Sequence, residues 1–476
     1  MDVTSRPDAI AASLPGSDDT IVAVATAPGR AALAIIRLSG RRAFEIARTI
    51  VVPWPEHPRR ATVSVISDPR SAAPLDRALV TRYDAPHSFT GEDLVEITTH
   101  GGLLVPSTVT AALIEQGARA AMPGEFTRRA VLNAKLDVMQ AEAVADLIDA
   151  RSRRAQTIAL AQLDGGLSRR IAELRHAAIE IEALLAYDID FPEEDDGPIP
   201  VQRIAAATDV VLAGLTTLRA TASTGELVRE GAVIVLAGAP NVGKSSLFNA
   251  LLGQSRAIVT DVPGTTRDAL EAVIDVGSWA LRLVDTAGFR PTSDRVEQLG
   301  IEMSERYLDR AAIVLACGDD ISSLDSVIAR VGERTGAPII VVHTKADLGG
   351  TSRFERQLVT GCYQYRNALL PAVIVSAERG TGLDALTDLI VRMLSEQHAD
   401  VSLDAPVLTR ARHRHAVEEA RHEVDRFRTA WMDDGLPAPV AATHLRNAVI
   451  ALEELIGTIG VEDVLDRVFS SFCVGK

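Results

Sequence analysis

One segment near the middle of the chain restricts the fold more than any other. Residues 233–237 form a continuous apolar run, VIVLA, and residues 238–245 read GAPNVGKS. A continuous apolar run is typical of a parallel strand that is buried on both faces. Residues 238–245 match the pattern G-x-x-x-x-G-K-[ST], and the helix-like stretch SLFNALL follows them at 246–252. A strand, a glycine-rich loop and a helix in this order predict a phosphate-binding loop in a doubly wound α/β domain.

Further apolar runs extend this α/β domain towards the C-terminus. They occupy residues 281–284, 313–316, 339–342 and 373–375, and helix-like stretches separate them. Strands that alternate with helices are connected by right-handed crossovers and form a largely parallel sheet. We therefore predict a Ras-like α/β domain over residues 230–396.

The loop residues have the chemistry that phosphate binding requires. Glycines allow backbone N–H groups to approach phosphate oxygens, Lys244 would reach the β- and γ-phosphates, and the Ser245 hydroxyl would ligate Mg²⁺. A purely structural loop is the alternative. The predicted nucleotide-binding residues of this segment are Gly238, Asn241, Val242, Gly243, Lys244, Ser245 and Ser246.

Three later motifs, each after an apolar run, distinguish GTP from ATP. Residues 285–288 read DTAG, where Asp285 would reach Mg²⁺ through water and the Gly288 N–H would sense the γ-phosphate. Residues 344–347 read TKAD, and the Asp347 carboxylate can accept two hydrogen bonds from guanine that adenine cannot supply. The predicted GTP-binding residues of these motifs are Asp285, Thr286, Ala287, Gly288, Thr344, Lys345, Asp347, Ser376 and Ala377.

Two positions depart from the usual GTPase pattern. Thr344 stands where Asn is usual, which would make the nucleotide affinity modest. Phe289 follows the DTAG motif, where Ras-like enzymes have the Gln that orients the attacking water. Another group must therefore orient the water in this chain.

The remainder of the chain predicts two further domains and a tail. Residues 1–18 have the composition of a flexible tail. Strand-like runs and a helix near residues 107–116 predict an α+β domain over 19–135. Apolar residues spaced by three and four predict a helical domain in two parts, 136–229 and 397–476, into which the α/β domain is inserted. The helix faces carry Ile171, Leu174, Ala178, Ile181, Leu185, Val417, Ala420, Val424, Phe427, Trp431, Leu445, Val449, Leu452 and Ile456.

Composition excludes several classes of protein. A net charge of −15 argues against an opportunistic nucleic-acid binder, although residues 151–154 and 410–414 could form a local basic patch or, alternatively, solvated helix faces. The widely spaced Cys317, Cys362 and Cys473 predict neither a disulfide framework nor a metal cluster. No apolar run reaches the roughly 18 residues of a membrane span, and no signal peptide is evident. We therefore expect a cytoplasmic protein that has no membrane partner.

The motifs also resemble a known family. Asn241, the stretch TDVPGTTRD at 260–268 and the DTAG motif resemble the potassium-activated TrmE-Era-EngA-like GTPases. Over residues 19–476 the chain is similar to the tRNA-modification GTPases of that group. The supporting stretches are PGR at 28–30, SFTGED at 88–93, HGG at 100–102, PGEFT at 123–127, LNAKLD at 132–137, QAEA at 140–143 and FCVGK at 472–476.

The resemblance implies ligands and a catalytic group for the GTPase site. K⁺ would be bound by Asn241, Thr260, Val262 and Thr265, and Thr266 would ligate Mg²⁺ beside Ser245. Thr260, Thr265 and Thr266 therefore also count as GTP-binding residues. The carboxylate of Glu297 would orient the water in place of the missing Gln, and an ordinary exposed helix residue is the alternative for Glu297.

The resemblance also implies a one-carbon cofactor in the N-terminal domain. A 5-formyl- or methylene-tetrahydrofolate derivative would be bound by Arg37, Glu96, Lys135 and Lys476, whose charges suit the carboxylates and N–H donors of a folate. The run AALA at 31–34 replaces a glycine-rich run and would narrow this pocket. Cys473 would act either as a nucleophile toward the tRNA base or only as a positioning group.

The function implied by the resemblance is GTP hydrolysis during tRNA modification. A homodimer whose GTPase domains associate with GTP and K⁺ would take part in adding a carboxymethylaminomethyl-type group at position 5 of the wobble uridine. The chain has no G-x-G-x-x-G after a strand, in agreement with a separate flavoprotein partner, MnmG or GidA, that would form a heterotetramer with it. An rRNA-binding ribosome-assembly GTPase of the Era type and a folate-dependent aminomethyltransferase are the alternatives.

Overall fold

The computed structural model describes residues 19–190, 200–254, 270–285, 306–349, 351–398, 405–432, 435–457 and 475. These residues fall into two compact units. The first is drawn from Met1–Ala145, Gln162–Leu212 and Glu419–Lys476, and the second from Asp146–Ala161 and Ala213–Glu418. The predicted domain boundaries remain predictions.

The N-terminal part of the first unit is a seven-stranded sheet. Its strands are β1 Ile21–Val24, β2 Leu33–Ser39, β3 Val51–Val52, β4 Thr62–Ser67, β5 Pro74–Tyr83, β6 Leu94–His100 and β7 Arg119–Ala120. They lie in the order β3-β4-β5-β6-β2-β1-β7. The helices α1 Ala43–Arg48 and α2 Val105–Glu115 share a buried apolar cluster with the sheet. β3 and β7 therefore form the two edges, and the predicted α+β architecture is confirmed.

Alternation along the central strands separates the two faces of this sheet. In β2, Ile36 and Leu38 are buried, whereas Arg37 between them is partly exposed. Side chains of a strand point alternately to opposite faces, so Arg37 lies on the face opposite the apolar cluster. Glu96 is the cross-strand partner of Arg37 and lies on the same face. Two predicted site residues are thus brought together by strand register alone.

Among the described residues, eight further helices lie before and after the predicted α/β domain, and the two units share them. They are α3 Glu125–Leu132, α4 Val138–Asp149, α5 Arg153–Leu163, α6 Gly166–Asp190, α7 Val201–Ala220, α8 Ala222–Glu230, α13 Ala411–Met432 and α14 Ala438–Ile456. The five apolar residues predicted to face inward from α6 are at most 4% exposed. α6 packs along α14, where Arg175 pairs with Glu453 and Arg446 with Glu182. The predicted inward face of α6 is therefore confirmed, whereas Trp431 of α13 and Val449 and Ile456 of α14 are only partly buried.

One helical stretch meets the length and composition of a membrane span. This stretch is Val201–Glu230, and 44% of its most apolar 18-residue segment is buried. In α7 the buried residues Ile204, Val211, Leu215 and Leu218 repeat at helical spacing, and charged side chains occupy exposed positions. A helix with one apolar face is typical of a soluble core, whereas a spanning helix is apolar all round.

The second unit contains the predicted α/β domain. Its strands are β8 Ala232–Gly238, β9 Leu270–Val276, β10 Trp279–Asp285, β11 Ile313–Gly318, β12 Ile339–His343, β13 Leu358–Val359, β14 Cys362–Tyr365 and β15 Ala368–Ile374. Their order is β13-β14-β15-β12-β11-β8-β10-β9, and β10, β8, β11, β12 and β15 run parallel. The helices are α9 Lys244–Gln254, α10 Ile321–Arg334, α11 Thr351–Glu355 and α12 Leu383–Gln397. This confirms the predicted Ras-like fold.

Several arginines of the two predicted basic clusters have partners within the second unit. Arg410 pairs with Asp146 at 2.7 Å, and Arg414 pairs with Glu226 at 3.3 Å. The Arg154 guanidinium lies 4.5 Å from the ring centroid of the buried Trp279. These contacts favour a structural role for these side chains over a free basic patch.

Candidate functional site

The phosphate loop connects the end of β8 to the start of α9. Asn241 has φ +62° and Gly243 has φ +101°, so the chain turns sharply through left-handed conformations before the helix begins. A Cβ at Gly238 would lie 2.5 Å from the carbonyl oxygen of Cys317, and this close approach requires glycine. The loop thereby leaves its backbone N–H groups at the helix N-terminus, where phosphates bind.

Lys244 is folded against this loop. Its Nζ donates to the carbonyl oxygens of Gly238 and Ala239, each at 2.8 Å, and the residue is 4% exposed. Burial lowers the pKa of Lys244, and the nearby Asp285 carboxylate opposes this shift. Among the described residues its hydrogen-bond partners are these two carbonyl groups, and a desolvated ammonium can gain strongly from a phosphate group placed beside it.

Ser245 and Asp285 meet beside the loop. The Ser245 hydroxyl donates to Asp285 Oδ2 at 2.7 Å, and Asp285 is fully buried at the end of β10. A hydroxyl oxygen and a carboxylate are the hard donors that Mg²⁺ prefers, alongside water and phosphate oxygens. The donor set therefore fits Mg²⁺. Within the described ranges no group of three or more His, Cys, Asp and Glu side chains forms an all-protein metal site.

The TKAD motif lies at the end of β12 and is joined directly to the phosphate loop. The Thr344 hydroxyl donates to the carbonyl oxygen of Val242, and its N–H donates to Gly318 O at 2.9 Å. Thr344 is 4% exposed. Because its hydroxyl proton is used in this contact, Thr344 links the two motifs, and its contact with the base remains a prediction.

Asp347 is held in place by the following segment. The Ser376 hydroxyl donates to Asp347 Oδ1 at 2.6 Å, and this bond is the main cause that lowers the pKa of Asp347. Ser376 itself is 1% exposed and accepts a hydrogen bond from the N–H of Arg379. An ionised carboxylate with one oxygen fixed leaves its other oxygen available for the N–H groups of guanine.

The sequence interpretation missed Asp319 at this site. Its Oδ2 pairs with Lys345 Nζ at 2.8 Å, and this pair lowers the pKa of Asp319. Lys345 has φ +56°, so its side chain starts from a left-handed residue. Asp319 follows the buried strand β11 directly. An acidic residue at the carboxyl end of a predicted strand could have identified it as a site residue.

Two more predicted GTPase residues are described: Ser246 lies in the first turn of α9, and Ala377 follows Ser376 directly. The others lie outside the described residues. They are Thr260, Val262, Thr265, Thr266, Thr286, Ala287, Gly288 and Glu297. Their roles remain predictions. Asn241 is described and exposed on the loop, with its K⁺-binding role likewise a prediction.

We predict that Thr344→Val weakens binding of GTP and GDP alike. The variant removes the hydroxyl donor and leaves the Val242 carbonyl without that partner, at a cost of about 1–3 kcal/mol. We expect roughly tenfold weaker binding of both nucleotides in calorimetric titrations. Thr344→Ser retains the hydroxyl and serves as the matched control. Equal affinities of the valine and serine variants would show that the contact has no role.

A second cluster lies on the N-terminal sheet. Arg37 pairs with Glu96 through Nη2 and Nε, at 2.8 and 3.1 Å from Oε1. The Tyr83 hydroxyl donates to Glu96 Oε2 at 3.3 Å. The Arg37 guanidinium also lies over the rings of Phe89 and Phe126, at 5.3 and 5.7 Å from their centroids. Aromatic faces beside a cation and a carboxylate suit a flat, charged heterocycle.

Lys135 approaches this part of the unit from the loop after α3. Its Nζ donates to the carbonyl oxygen of Pro86 at 3.1 Å. Gly475 is described and buried, and a Cβ there would lie 2.4 Å from the carbonyl oxygen of Val24. Cys473 and Lys476 lie outside the described residues. Tyr83, Phe89 and Phe126 were not singled out as site residues from the sequence, although the last two stand within recognised motifs.

Comparisons with known proteins cover both parts of the chain in which these clusters lie. The family model of the "MnmE helical domain" matches residues 138–473, and the family model of the "GTP-binding protein TrmE N-terminus" matches residues 20–135. The tRNA modification GTPase MnmE of Moorella thermoacetica is 42% identical over 470 residues, covering 96% of this chain and 100% of that protein. The proteins of the same name from Aquifex aeolicus and Methylobacterium radiotolerans are 38% and 42% identical over 460 and 465 residues. They cover 96% of this chain in both cases, and 100% and 99% of their own lengths.

Proposed function

Since this chain belongs to the MnmE family of tRNA modification GTPases, we propose that it uses K⁺-dependent GTP hydrolysis to control the modification of the wobble uridine of tRNA. The chain is a GTPase, and its phosphate loop, its Ser245–Asp285 pair and Asp347 lie at the carboxyl ends of strands of one sheet. This convergence is the observation that carries the proposal, because ligands of open α/β sheets bind at that edge.

The described residues would act on GTP in three ways. Lys244 would exchange its two carbonyl partners for β- and γ-phosphate oxygens, because a charged acceptor binds an ammonium more strongly than a carbonyl does. Ser245 and Asp285 would hold Mg²⁺, which neutralises phosphate charge when bound. Asp347 would accept the N–H donors of guanine while Ser376 fixes its orientation.

A monovalent cation would complete the catalytic machinery. Asn241 would bind K⁺ together with Thr260, Val262 and Thr265, and Thr266 would join Ser245 at Mg²⁺. A fixed cation beside the phosphates stabilises the charge that develops during phosphoryl transfer. Asn241 lies on an exposed loop, as expected of a residue that contacts a second GTPase domain when two copies associate. Glu297 would orient the attacking water.

The cluster on the N-terminal sheet would bind a tetrahydrofolate derivative. Glu96 would accept hydrogen bonds from the N–H donors of its pterin ring while Arg37 holds the Glu96 carboxylate in place, and Lys135 would face its carboxylates. The face that carries Arg37 also exposes Leu33 and Leu79, which are 57% and 45% exposed. An apolar sheet face of this kind supports a homodimer formed through this domain. Cys473 and Lys476 would contribute from the C-terminal segment, and Cys473 would be a nucleophile or a positioning group.

The modification itself would require partners. We propose that the chain acts in the cytoplasm with a flavoprotein of the MnmG or GidA type, and that the product is a carboxymethylaminomethyl-type group at position 5. Mass spectrometry of tRNA from cells that lack the gene tests this. We expect the wobble uridine to be unmodified, and to be restored by the native gene but not by a Lys244→Ala variant. Normal modification together with defective ribosomal subunits would instead favour the Era-type alternative.

A further inference from the structure

The first unit has an edge at which arginines lack carboxylate partners. Arg48 precedes the edge strand β3, and Arg59 and Arg60 follow it in the connection to β4. Among the described residues, no carboxylate lies within 4.0 Å of these three guanidinium groups. We call Arg48, Arg59 and Arg60 the arginine edge. All three are exposed.

The arginine edge contrasts with its surroundings. Two other arginines of this unit are paired, Arg42 with Glu45 at 2.7 Å and Arg82 with Asp84 at 3.7 Å. Residues 41–60 contain five arginines and two glutamates, a net charge of +3 in a chain of −15. An acidic protein can bind a polyanion only where a local excess of positive charge offsets its general repulsion. The unpaired cations of this edge form such an excess.

The arginine edge lies close to the Arg37–Glu96–Tyr83 cluster. The Arg59 N–H donates to Arg82 O at 2.8 Å, directly before Tyr83 at the end of β5. Arg37 and Arg59 both act electrostatically on the Tyr83 hydroxyl, and each lowers its pKa against the larger effect of burial. The Arg59–Arg82 hydrogen bond therefore places the edge beside the strand that carries Tyr83.

A single loop connects the two features. Arg59 Nη2 donates to the carbonyl oxygen of His87 at 3.2 Å, and Lys135 Nζ donates to the carbonyl oxygen of the preceding Pro86 at 3.1 Å. Arg59 and Lys135 thus bind adjacent carbonyl groups of the same loop. An RNA strand that follows this loop would therefore pass Arg59 and Lys135 together.

We propose that Arg59 and Arg60, supported by Arg48, bind the phosphodiester backbone of the tRNA anticodon arm beside the one-carbon site. The inference rests on the proposed function, because it assumes that tRNA is delivered to this domain. Phosphate contacts fix the register of a nucleic acid without reading its sequence. The arginine edge would therefore orient the wobble nucleotide, whereas the base would be read elsewhere.

The test measures RNA affinity and its salt dependence. Full-length protein is titrated into a fluorescein-labelled anticodon stem–loop with uridine at the wobble position, at several KCl concentrations, and anisotropy is recorded. For the double variant Arg59→Gln and Arg60→Gln we expect about tenfold weaker binding. The plot of log affinity against log salt has a negative slope, and its magnitude should decrease by about 1.5 in this variant. Each phosphate contact on single-stranded or duplex nucleic acid contributes roughly 0.7–0.9 to that magnitude.

Three variants separate phosphate binding from folding. Arg203→Gln, on the exposed surface of α7, makes the same charge change and should bind RNA like the native protein. The double lysine variant keeps both charges and should retain the salt slope. The single variant Arg60→Gln alters a side chain with no hydrogen bond or ion pair among the described residues, so it should lower the slope by about 0.8 without changing the unfolding temperature.

Each other outcome overturns the inference. Unchanged affinity and slope in the glutamine variants, or an equal loss in Arg203→Gln, would show that the edge does not bind phosphate. If RNA binding is unchanged but binding of the flavoprotein is lost, the edge binds an acidic protein instead. Suppose that the native protein binds RNA and that gene deletion abolishes the modification. An unaltered salt dependence of the glutamine variants would then refute only the role of the arginine edge and not the proposed function. No RNA binding together with normal modification in the deletion strain would refute the proposed function as well.

Discussion

The Asp347→Asn variant is expected to prefer xanthosine triphosphate to GTP. Asp347 Oδ1 accepts from the buried Ser376 hydroxyl at 2.6 Å, and the amide oxygen of Asn can accept the same bond. The amide NH₂ group would then replace the free carboxylate oxygen and would face the N–H donors of guanine. Xanthine has a carbonyl group at that position and can accept from the amide.

The size of the effect follows from the loss of paired hydrogen bonds. Sites built to hydrogen-bond a substrate reject a mismatched analogue by about 10⁴-fold or more, so we expect kcat/KM for GTP to fall by roughly 10⁴-fold. Hydrolysis of both nucleotides is measured over a range of concentrations. Asp388→Asn, an exposed change on α12 in the same domain, should retain the native preference for GTP. If Asp347→Asn still prefers GTP, then Asp347 does not read the base.

Replacing NaCl by KCl at equal ionic strength is expected to accelerate GTP hydrolysis by about 10²-fold, the contribution typical of one fixed electrostatic group in a transition state. The rate should rise in kcat rather than through KM, because the cation would stabilise charge that develops only during the reaction. Initial rates with saturating GTP measure this directly. ATP, which lacks the donors that Asp347 requires, should be hydrolysed slowly in both salts.

Asn241 provides the mutational counterpart of this measurement. Asn241→Ala should abolish the difference between KCl and NaCl while leaving GTP bound, because Lys244 and Asp347 are unchanged. Asn249→Ala, on an exposed position of α9, is the matched control and should retain the stimulation. A native rate that does not depend on the cation would refute the K⁺ site. The GTPase activity would remain established, but the mechanism of its activation would need another cation or an arginine.

The departure at Thr344 illustrates what a motif alone cannot decide. The sequence pattern predicts a weakened base site, because Asn is the usual residue. The structure shows the hydroxyl bound to the Val242 carbonyl, so the link between the base motif and the phosphate loop is present. Whether a side chain supplies such a link depends on which backbone group lies opposite, and that is set by the packing of β12 against the loop.

The N-terminal cluster shows the same division. Arg37 and Glu96 were recognised through the family resemblance, and strand register then makes them neighbours. Tyr83 belongs to another strand, Phe89 to a loop and Phe126 to helix α3, and nothing in their local sequence indicates that they surround Arg37. The same holds for Asp319 beside Lys345, because the two residues are 26 positions apart in the chain.

The sequence by itself determined the local elements and the identity of the GTPase chemistry. Continuous apolar runs specified strands that are buried on both faces, and three- and four-residue spacing specified helices such as α6. The reason is that apolar residues must recur with the period of an element if one of its faces is to be buried. The phosphate loop was determined for the same reason, since its glycines and Lys244 act within a few residues of one another. Only the tertiary structure decided which distant side chains meet. Pairs such as Asp347 with Ser376 and Arg59 with the His87 carbonyl depend on strand order and register, which arise from packing of the whole domain.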